Sequence, residues 1–146
     1  MKKPPGVLLA VDPGKSTGWA VYVDGLVKNL GICRTPEEFD IWLDSFVETY
    51  GKPDVVVIEK FVLFRHKAKQ QIGSQFEVSQ VIGVAKSFGR KTEAEVVMQG
   101  SDILPTAVMW SKMKIPTDHN VSHHIVAANH AVYYLVSNDM MLPLGM

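Results

Sequence analysis

Apolar and polar positions along this chain fall into blocks of two kinds. Residues 7–11, 19–23 and 55–58 are continuously apolar and rich in Val and Ile. Short runs of this type, bounded by turn residues, predict buried strands. Pro13-Gly14-Lys15-Ser16-Thr17-Gly18 separates the first two runs and reads as the turn of a β-hairpin. Asp24-Gly25 predicts a second tight turn, into a third strand at 26–33 with Gly31 inside it. The pattern then changes to a helical period, and Phe39, Trp42, Leu43, Phe46 and Val47 share one face of a helix over 35–50. Thr35 is its N-cap, Pro36 its first helical residue and Glu38 the capping-box acid, and Gly51-Lys52-Pro53 ends it. Residues 54–58 form the strongest strand, and its unbroken apolar run predicts a central position covered on both faces. A helix follows over 74–88, with Phe76, Val78, Val81, Ile82 and Ala85 apolar, then a strand over 93–98 and a short helix over 103–110. The last helix spans 121–136, while 61–72 and 111–120 read as loops and the tail 138–146 has no periodic pattern. The order β-β-β-α-β-α-β-α-α predicts an α/β fold: an antiparallel three-strand meander extended by parallel strands, with helices on both faces.

Composition narrows the class. A chain of 146 residues without internal repeat or linker predicts one domain over 1–146, long enough for a real core. The apolar share of 47% excludes a disordered chain. A formal net charge of zero argues against a uniformly basic nucleic-acid binder, yet leaves room for local basic patches. The single Cys33 excludes an internal disulfide framework and a cysteine-based zinc site, and points to a reducing, intracellular setting. No apolar run approaches the ~20 residues of a membrane span. The opening Met1-Lys2-Lys3-Pro4-Pro5 passes into strand too soon for a signal peptide. The expected location is cytoplasmic.

Chemistry concentrates at strand ends. Asp12 ends the first strand and Glu59 the fourth. If these strands are neighbours, two carboxylates meet at one sheet edge, where their repulsion calls for a cation. Oxygen ligands of this kind suit Mg²⁺ or Mn²⁺. With further ligands the site would take two ions, the arrangement for in-line phosphodiester cleavage. The last helix is the natural source, since His123 and His124 open it and His130 lies seven residues after His123. His130 reads more readily as packed beneath the site. Gly14-Lys15-Ser16-Thr17 imitates a phosphate loop, but Leu9 replaces its first glycine and a strand, not a helix, follows. An ordinary hairpin with a solvent-facing Asp12 is the bland reading of the same stretch.

The remaining candidates are cationic or aromatic. Lys15 and Ser16 stand beside Asp12, as phosphate contacts or as simple turn residues. Lys60 follows Glu59 and points the other way in an extended chain. Phe61 and Phe64 interleave with Arg65, His66, Lys67 and Lys69, a mixture suited to stacking on bases and contacting phosphates, or else to core packing with a solvated rim. Arg90 and Lys91 form one further small basic cluster, Lys112 and Lys114 another. Asp118 and His119 lie in a loop and read first as solvated residues.

Taken together, AVDPGKSTGWAV around Asp12, VVVIEKF around Glu59 and the last helix HHIVAANHAVYYL resemble the RuvC-type Holliday junction resolvases, especially the short phage-borne ones, of the ribonuclease H-like superfamily. The resemblance covers nearly the whole chain in element order, and a phage-encoded member would act in the cytoplasm of its bacterial host. It implies a ribonuclease H-like five-stranded mixed sheet and a metal-dependent endonuclease that resolves branched DNA. Asp12, Glu59 and His123 would hold two Mg²⁺ ions, with His124 as a further catalytic candidate. An aromatic after Glu59 would wedge into the junction centre. A homodimer would match the two-fold symmetry of a four-way junction, with no nucleotide cofactor and no membrane partner.

One position departs from the pattern. Where the family places an acidic residue on the last helix, this chain has Val126, which cannot bind a metal. Three explanations stand: an inactivating substitution, replacement by His124, Asp118 or His119, or a protein that binds junctions without cutting them. The last is the main alternative function. An actin-like nucleotide-binding domain, which shares the Asp-x-Gly hairpin, is the other; that fold normally needs a duplicated domain and a second phosphate loop.

Overall fold

The computed structural model describes residues 1–60, 68–118 and 121–145, with backbone only for 68–75. The chain runs β1 (Val7–Asp12), β2 (Thr17–Val23), β3 (Leu26–Cys33), α1 (Pro36–Asp44), α2 (Phe46–Tyr50), β4 (Val55–Glu59), α3 (Ala68–Lys91), β5 (Glu95–Gln99), α4 (Leu104–Ser111) and α5 (His123–Ser137). A 3-10 turn over Ser101–Ile103 leads into α4. The five strands form one sheet in the order β3-β2-β1-β4-β5. β1 pairs antiparallel with β2, and β2 with β3, whereas β4 runs parallel to both β1 and β5. This is the mixed sheet that the sequence predicts, and it makes β1 and β4 neighbours, the condition under which Asp12 and Glu59 meet.

Alternation along each strand explains why the central runs are apolar throughout. Leu8 and Ala10 of β1 face one layer, with Ala20, Tyr22, Val55, Val57 and the α5 residues Ala127, Ala128, Ala131 and Leu135. Leu9 and Val11 face the other, with Val56, Ile58, Phe39 and Phe46 and with Val81 and Ala85 of α3. Both faces are covered, so neither set of positions is free to be polar. Burying each Val, Leu or Ile contributes about 1.5–3 kcal/mol. The second layer is knitted by aromatic rings: Trp19 stacks on Trp42 at 4.1 Å between centroids, and Phe46 meets Phe88 edge-on at 5.2 Å.

Several boundaries differ from expectation. The helix expected over 35–50 breaks at Ser45 into α1 and α2. The Ser45 hydroxyl donates to the Trp42 carbonyl, the kind of local bond that competes with helix propagation. Thr35 caps α1 as predicted, its Oγ1 accepting from the Glu38 N–H at 3.0 Å, and Glu38 Oε2 in turn accepts from the Arg34 N–H at 2.9 Å. The helix expected from 74 begins at Ala68, so part of the presumed loop is helical. Ala, Lys and Gln at 68–71 are good helix formers, so the helix extends back through them. Phe76 is 71% exposed rather than core. The fifth strand starts later and reaches Gln99, because 92–94 are used in a turn with Glu93 in the left-handed region (φ 65°). The last helix begins at His123 rather than 121.

Cys33 ends β3 in this aromatic layer, 3% exposed. Burial pushes its thiol from an ordinary 9.0 up to about 11, aided by the charge of Glu38 and opposed by a bond with Trp19. The folded chain thus holds this proton more tightly than the unfolded one. The stability that this supplies is complete below pH 9.0 and lost as pH rises through about 11. Denaturant titrations between these values should show a smaller loss of stability for Cys33→Ala than for the parent chain. At pH 8, iodoacetamide should label native Cys33 at least about a hundredfold more slowly than the denatured chain, as the thiolate fraction alone dictates. Equal labelling rates in both states would contradict the burial of Cys33.

Candidate active site

Parallel pairing puts the C-terminal ends of β1, β4 and β5 at one edge of the sheet. Val11 is level with Ile58, and Glu59 with Gln99, so Asp12, Glu59 and Gln99 stand in a row across three neighbouring strands. The N-terminal half of α5 lies over this row. Gly18, the β2 partner of Asp12, makes this possible: a Cβ there would run into the backbone of His123 and His124. Helix and strand touch main chain to main chain at this point.

Each carboxylate is met by one imidazole from α5. His123 Nδ1 donates to Asp12 Oδ2 at 2.8 Å, and His130 Nε2 donates to Glu59 Oε2 at 2.6 Å. The two histidines lie seven residues apart, two turns of one helix face. His130 is fully buried, and its Nδ1 lies 2.9 Å from Gln99 Oε1. The Lys60 N–H donates to the Gln99 carbonyl at 2.7 Å, closing the strand pair just past Glu59. Among the described residues, the second oxygen of each carboxylate has no hydrogen bond.

Electrostatics follow from burial and charge. Burial pushes the Asp12 carboxyl above the usual carboxylate range; the bond with His123 pulls it down, and the charge of Glu59 pushes it up again. The bond to Asp12 raises the His123 imidazole above its ordinary value, with burial opposing. His124 moves the other way, lowered by burial and then by the charge of His123. Its buried Nδ1 has no hydrogen-bond partner among the described residues, and no bond joins it to either carboxylate.

Cations line the same edge. Lys15, in the turn after Asp12, and Lys60, directly after Glu59, are both exposed. Arg34 follows the end of β3 and lies close enough for its charge to lower the His123 imidazole. Ser16 is half-buried in the same turn, where Thr17 Oγ1 donates to the Gly14 carbonyl. Of the other expected contacts, one pair stands away from this edge. Arg90 and Lys91 end α3, next to the start of β5, at the opposite end of the sheet. Lys112 and Lys114 are exposed on the segment after α4, and Asp118 is exposed on the approach to α5. Lys69 lies in the first turn of α3. Phe61, Phe64, Arg65, His66, Lys67 and His119 lie outside the described residues. Val126 occupies the α5 face between the two histidines, 8% exposed, and offers no donor atom.

No family model matches this sequence, and no curated protein matches it. Solved structures do. RuvC of Thermus thermophilus, in complex with a Holliday junction substrate, superposes with a TM-score of 0.65 at 14% identity, over 94% of this chain and 99% of that one. The chain has the fold of RuvC. A second Thermus thermophilus RuvC structure gives a TM-score of 0.60 at 14% identity, again over 94% and 99% of the two chains. The fowlpox virus resolvase, solved with Holliday junction DNA, gives 0.54 at 17% identity over 90% of this chain and 98% of that one. The RuvC fold is a mixed five-stranded sheet flanked by helices, as observed here.

A metal has to be judged on the donors of this edge. Among the described residues, no three His, Cys, Asp or Glu side chains converge as a ready-made cage. The donor chemistry nonetheless fits a hard divalent ion. Among the described residues Asp12 and Glu59 each keep one oxygen without a hydrogen bond, the two carboxylates repel each other, and the His123 Nε2 lies on the far side of a ring already fixed by Asp12.

Two positions in this site escaped the sequence. The apolar pattern ends the fifth strand at Met98, one residue short of Gln99, so Gln99 is not marked as a strand-end residue as Asp12 and Glu59 are. Arg34 stood alone and belonged to no basic cluster. The Gly18 contact yields a direct test. Gly18→Ala should cost about 1–3 kcal/mol by thermal denaturation, because neither backbone can give way to the added methyl. A variant as stable as the parent would contradict the close approach of α5.

Proposed function

We propose that this protein is a metal-dependent, structure-selective endodeoxyribonuclease that cuts branched DNA, four-way junctions first among its substrates. The observation that carries the reading is the pair of carboxylates, Asp12 and Glu59, on adjacent strand ends under α5, in a fold shared with junction-bound RuvC and the fowlpox virus resolvase. Asp12, Glu59 and His123 would hold Mg²⁺ or Mn²⁺, two ions in the full site. Such an ion, when bound, neutralises charge on the scissile phosphate and lowers the pKa of a water.

The chain's own groups do the rest. Asp12 fixes the His123 ring through Nδ1–H, so that Nε2 is the atom offered to the site. Lys15, Arg34 and Lys60 border the same edge and attract the DNA backbone there despite a net charge of zero. Lys69 and the aromatic and basic residues of 61–67 would extend the contact. Arg90 and Lys91 at the far end of the sheet, and Lys112 and Lys114, would reach separate arms of the junction. A homodimer would present two such edges to the two symmetric strands of a junction, and the exposed Phe76 on α3 is a fitting contact for it.

Val126 favours a second reading, a protein that binds junctions without cutting them. One experiment separates the two. Labelled four-way junction, Y-fork and linear duplex are incubated with Mg²⁺ or Mn²⁺ and the chain, alongside Asp12→Asn, Glu59→Gln and Val126→Asp. The nuclease reading expects cutting of the branched substrates only, with Asp12→Asn and Glu59→Gln slower by at least about a hundredfold and still retarding the junction in gels. Cutting by Val126→Asp alone would mark the parent as a disabled enzyme. Junction binding without cutting by any version would support the binder, and neither cutting nor preference for branched DNA would remove both readings.

A further inference from the structure

His130 is a costly residue for its place. It is fully buried, on a helix face whose neighbours Ala127, Ala128, Ala131 and Leu135 are all apolar and also fully buried. Burying an imidazole stabilises nothing unless its nitrogens are satisfied. Here both have partners. Glu59 is an acceptor, so Nε2 carries the proton. Gln99 faces Nδ1, and its amide presents either C=O or, turned by half a rotation, N–H. Gln99 is itself 9% exposed, and its main chain is tied to the residue after Glu59. The line Gln99–His130–Glu59 thus joins the ends of two adjacent strands to the middle of α5.

We propose that His130 is a positioning residue for Glu59, and that Gln99 holds the His130 ring in register. A glutamate at a strand end has three rotatable bonds and a half-buried carboxylate. The His130 N–H takes Oε2 and leaves Oε1 as the oxygen offered to the site. Gln99 prevents the ring from rotating out of that bond. For its catalytic consequence the proposal rests on the nuclease reading; for its geometry it does not.

The test has two arms. The first uses the metal-free protein with ¹⁵N-labelled histidine. One exchange-protected imidazole N–H resonance is expected in the parent, absent in His130→Leu and shifted in both Glu59→Gln and Gln99→Leu. A parent without such a resonance, or one that moves in neither variant, overturns the proposal whether or not the protein cuts DNA. The second arm follows cleavage of a four-way junction with Mg²⁺. Gln99→Leu and His130→Leu, checked for folding by thermal melting, should lower kcat about 10–100-fold with little change in KM. His130→Gln, whose amide N–H can reach the same carboxylate oxygen, should recover a large part of that loss. Folded leucine variants with kcat within about twofold of the parent overturn it, and Gln99→Leu decides alone if His130→Leu does not fold. If the parent chain cuts nothing, the cleavage arm is run on Val126→Asp where that variant cuts, and where neither cuts the nuclease reading fails and the resonance alone decides the positioning role.

Discussion

The close seating of α5 on the sheet is the constraint on which the site depends. Side chains at this contact are small: Ala10 and Ala20 from the strands meet Ala127, Ala128 and Ala131 from the helix. At Gly18 there is no side chain at all. Small residues contribute little apolar area each, about 0.8 kcal/mol per buried CH₂. Their value lies in distance. With leucines at these positions the helix would ride higher on the sheet, and an imidazole from it would fall short of strand-end carboxylates by more than a hydrogen bond tolerates. The larger groups that supply the core's hydrophobic energy lie mainly on the other face, where the stacked Trp19 and Trp42, Phe39 and Phe46 cover the sheet. One face of the sheet supplies much of the aromatic burial, and the other supplies precision.

That seating creates two carboxylate–imidazole pairs of unequal character. Asp12 and His123 meet where the histidine is still partly open to solvent, with a side-chain exposure of 25%. Glu59 meets His130 where the histidine side chain has none. A buried polar pair is weak evidence for stability, because desolvation cancels much of the attraction. It is better evidence for a demand on geometry, since apolar residues at these positions would cost the fold less. The raised Asp12 carboxyl points the same way: burial and the charge of Glu59 outweigh the help from His123, so the fold tolerates this carboxylate at a cost.

Much of this was legible in the sequence, for identifiable reasons. Strand runs ending in Asp12 and Glu59 are read from local pattern, and the turns beside them are marked by Gly and Pro. That β1 and β4 are neighbours stands in the sequence only as a condition; chain order and the crossover rule allow it, and the observed pairing meets it. Less local features were hidden. The start of α3 at Ala68 rests on helix propensity within a stretch that its charges made look like a loop. The break at Ser45 depends on one hydroxyl choosing a carbonyl. Gln99 became part of the site only through its register with Glu59, and a strand's last residue is the hardest to draw from a pattern of period two. Arg34 belongs to the edge because β3 ends there, a fact of pairing that no spacing encodes.

Val126 is best understood through charge. The α5 face that covers the strand ends carries His123, then Val126, then His130, and beneath it lie Asp12 and Glu59. As the chain stands, two carboxylates face two imidazoles, and each carboxylate has found one. A carboxylate at 126 would add a third negative charge within the same buried region, with no further histidine bonded to it. It would raise the cost of ionising Asp12, already disfavoured by Glu59, unless a cation were present. Valine removes that repulsion and lets the donors partner one another. With valine at 126 each carboxylate is held through one oxygen by an imidazole, and its other oxygen has no hydrogen bond among the described residues, so the edge keeps two carboxylate oxygens facing outward from these pairs without a third charge between them.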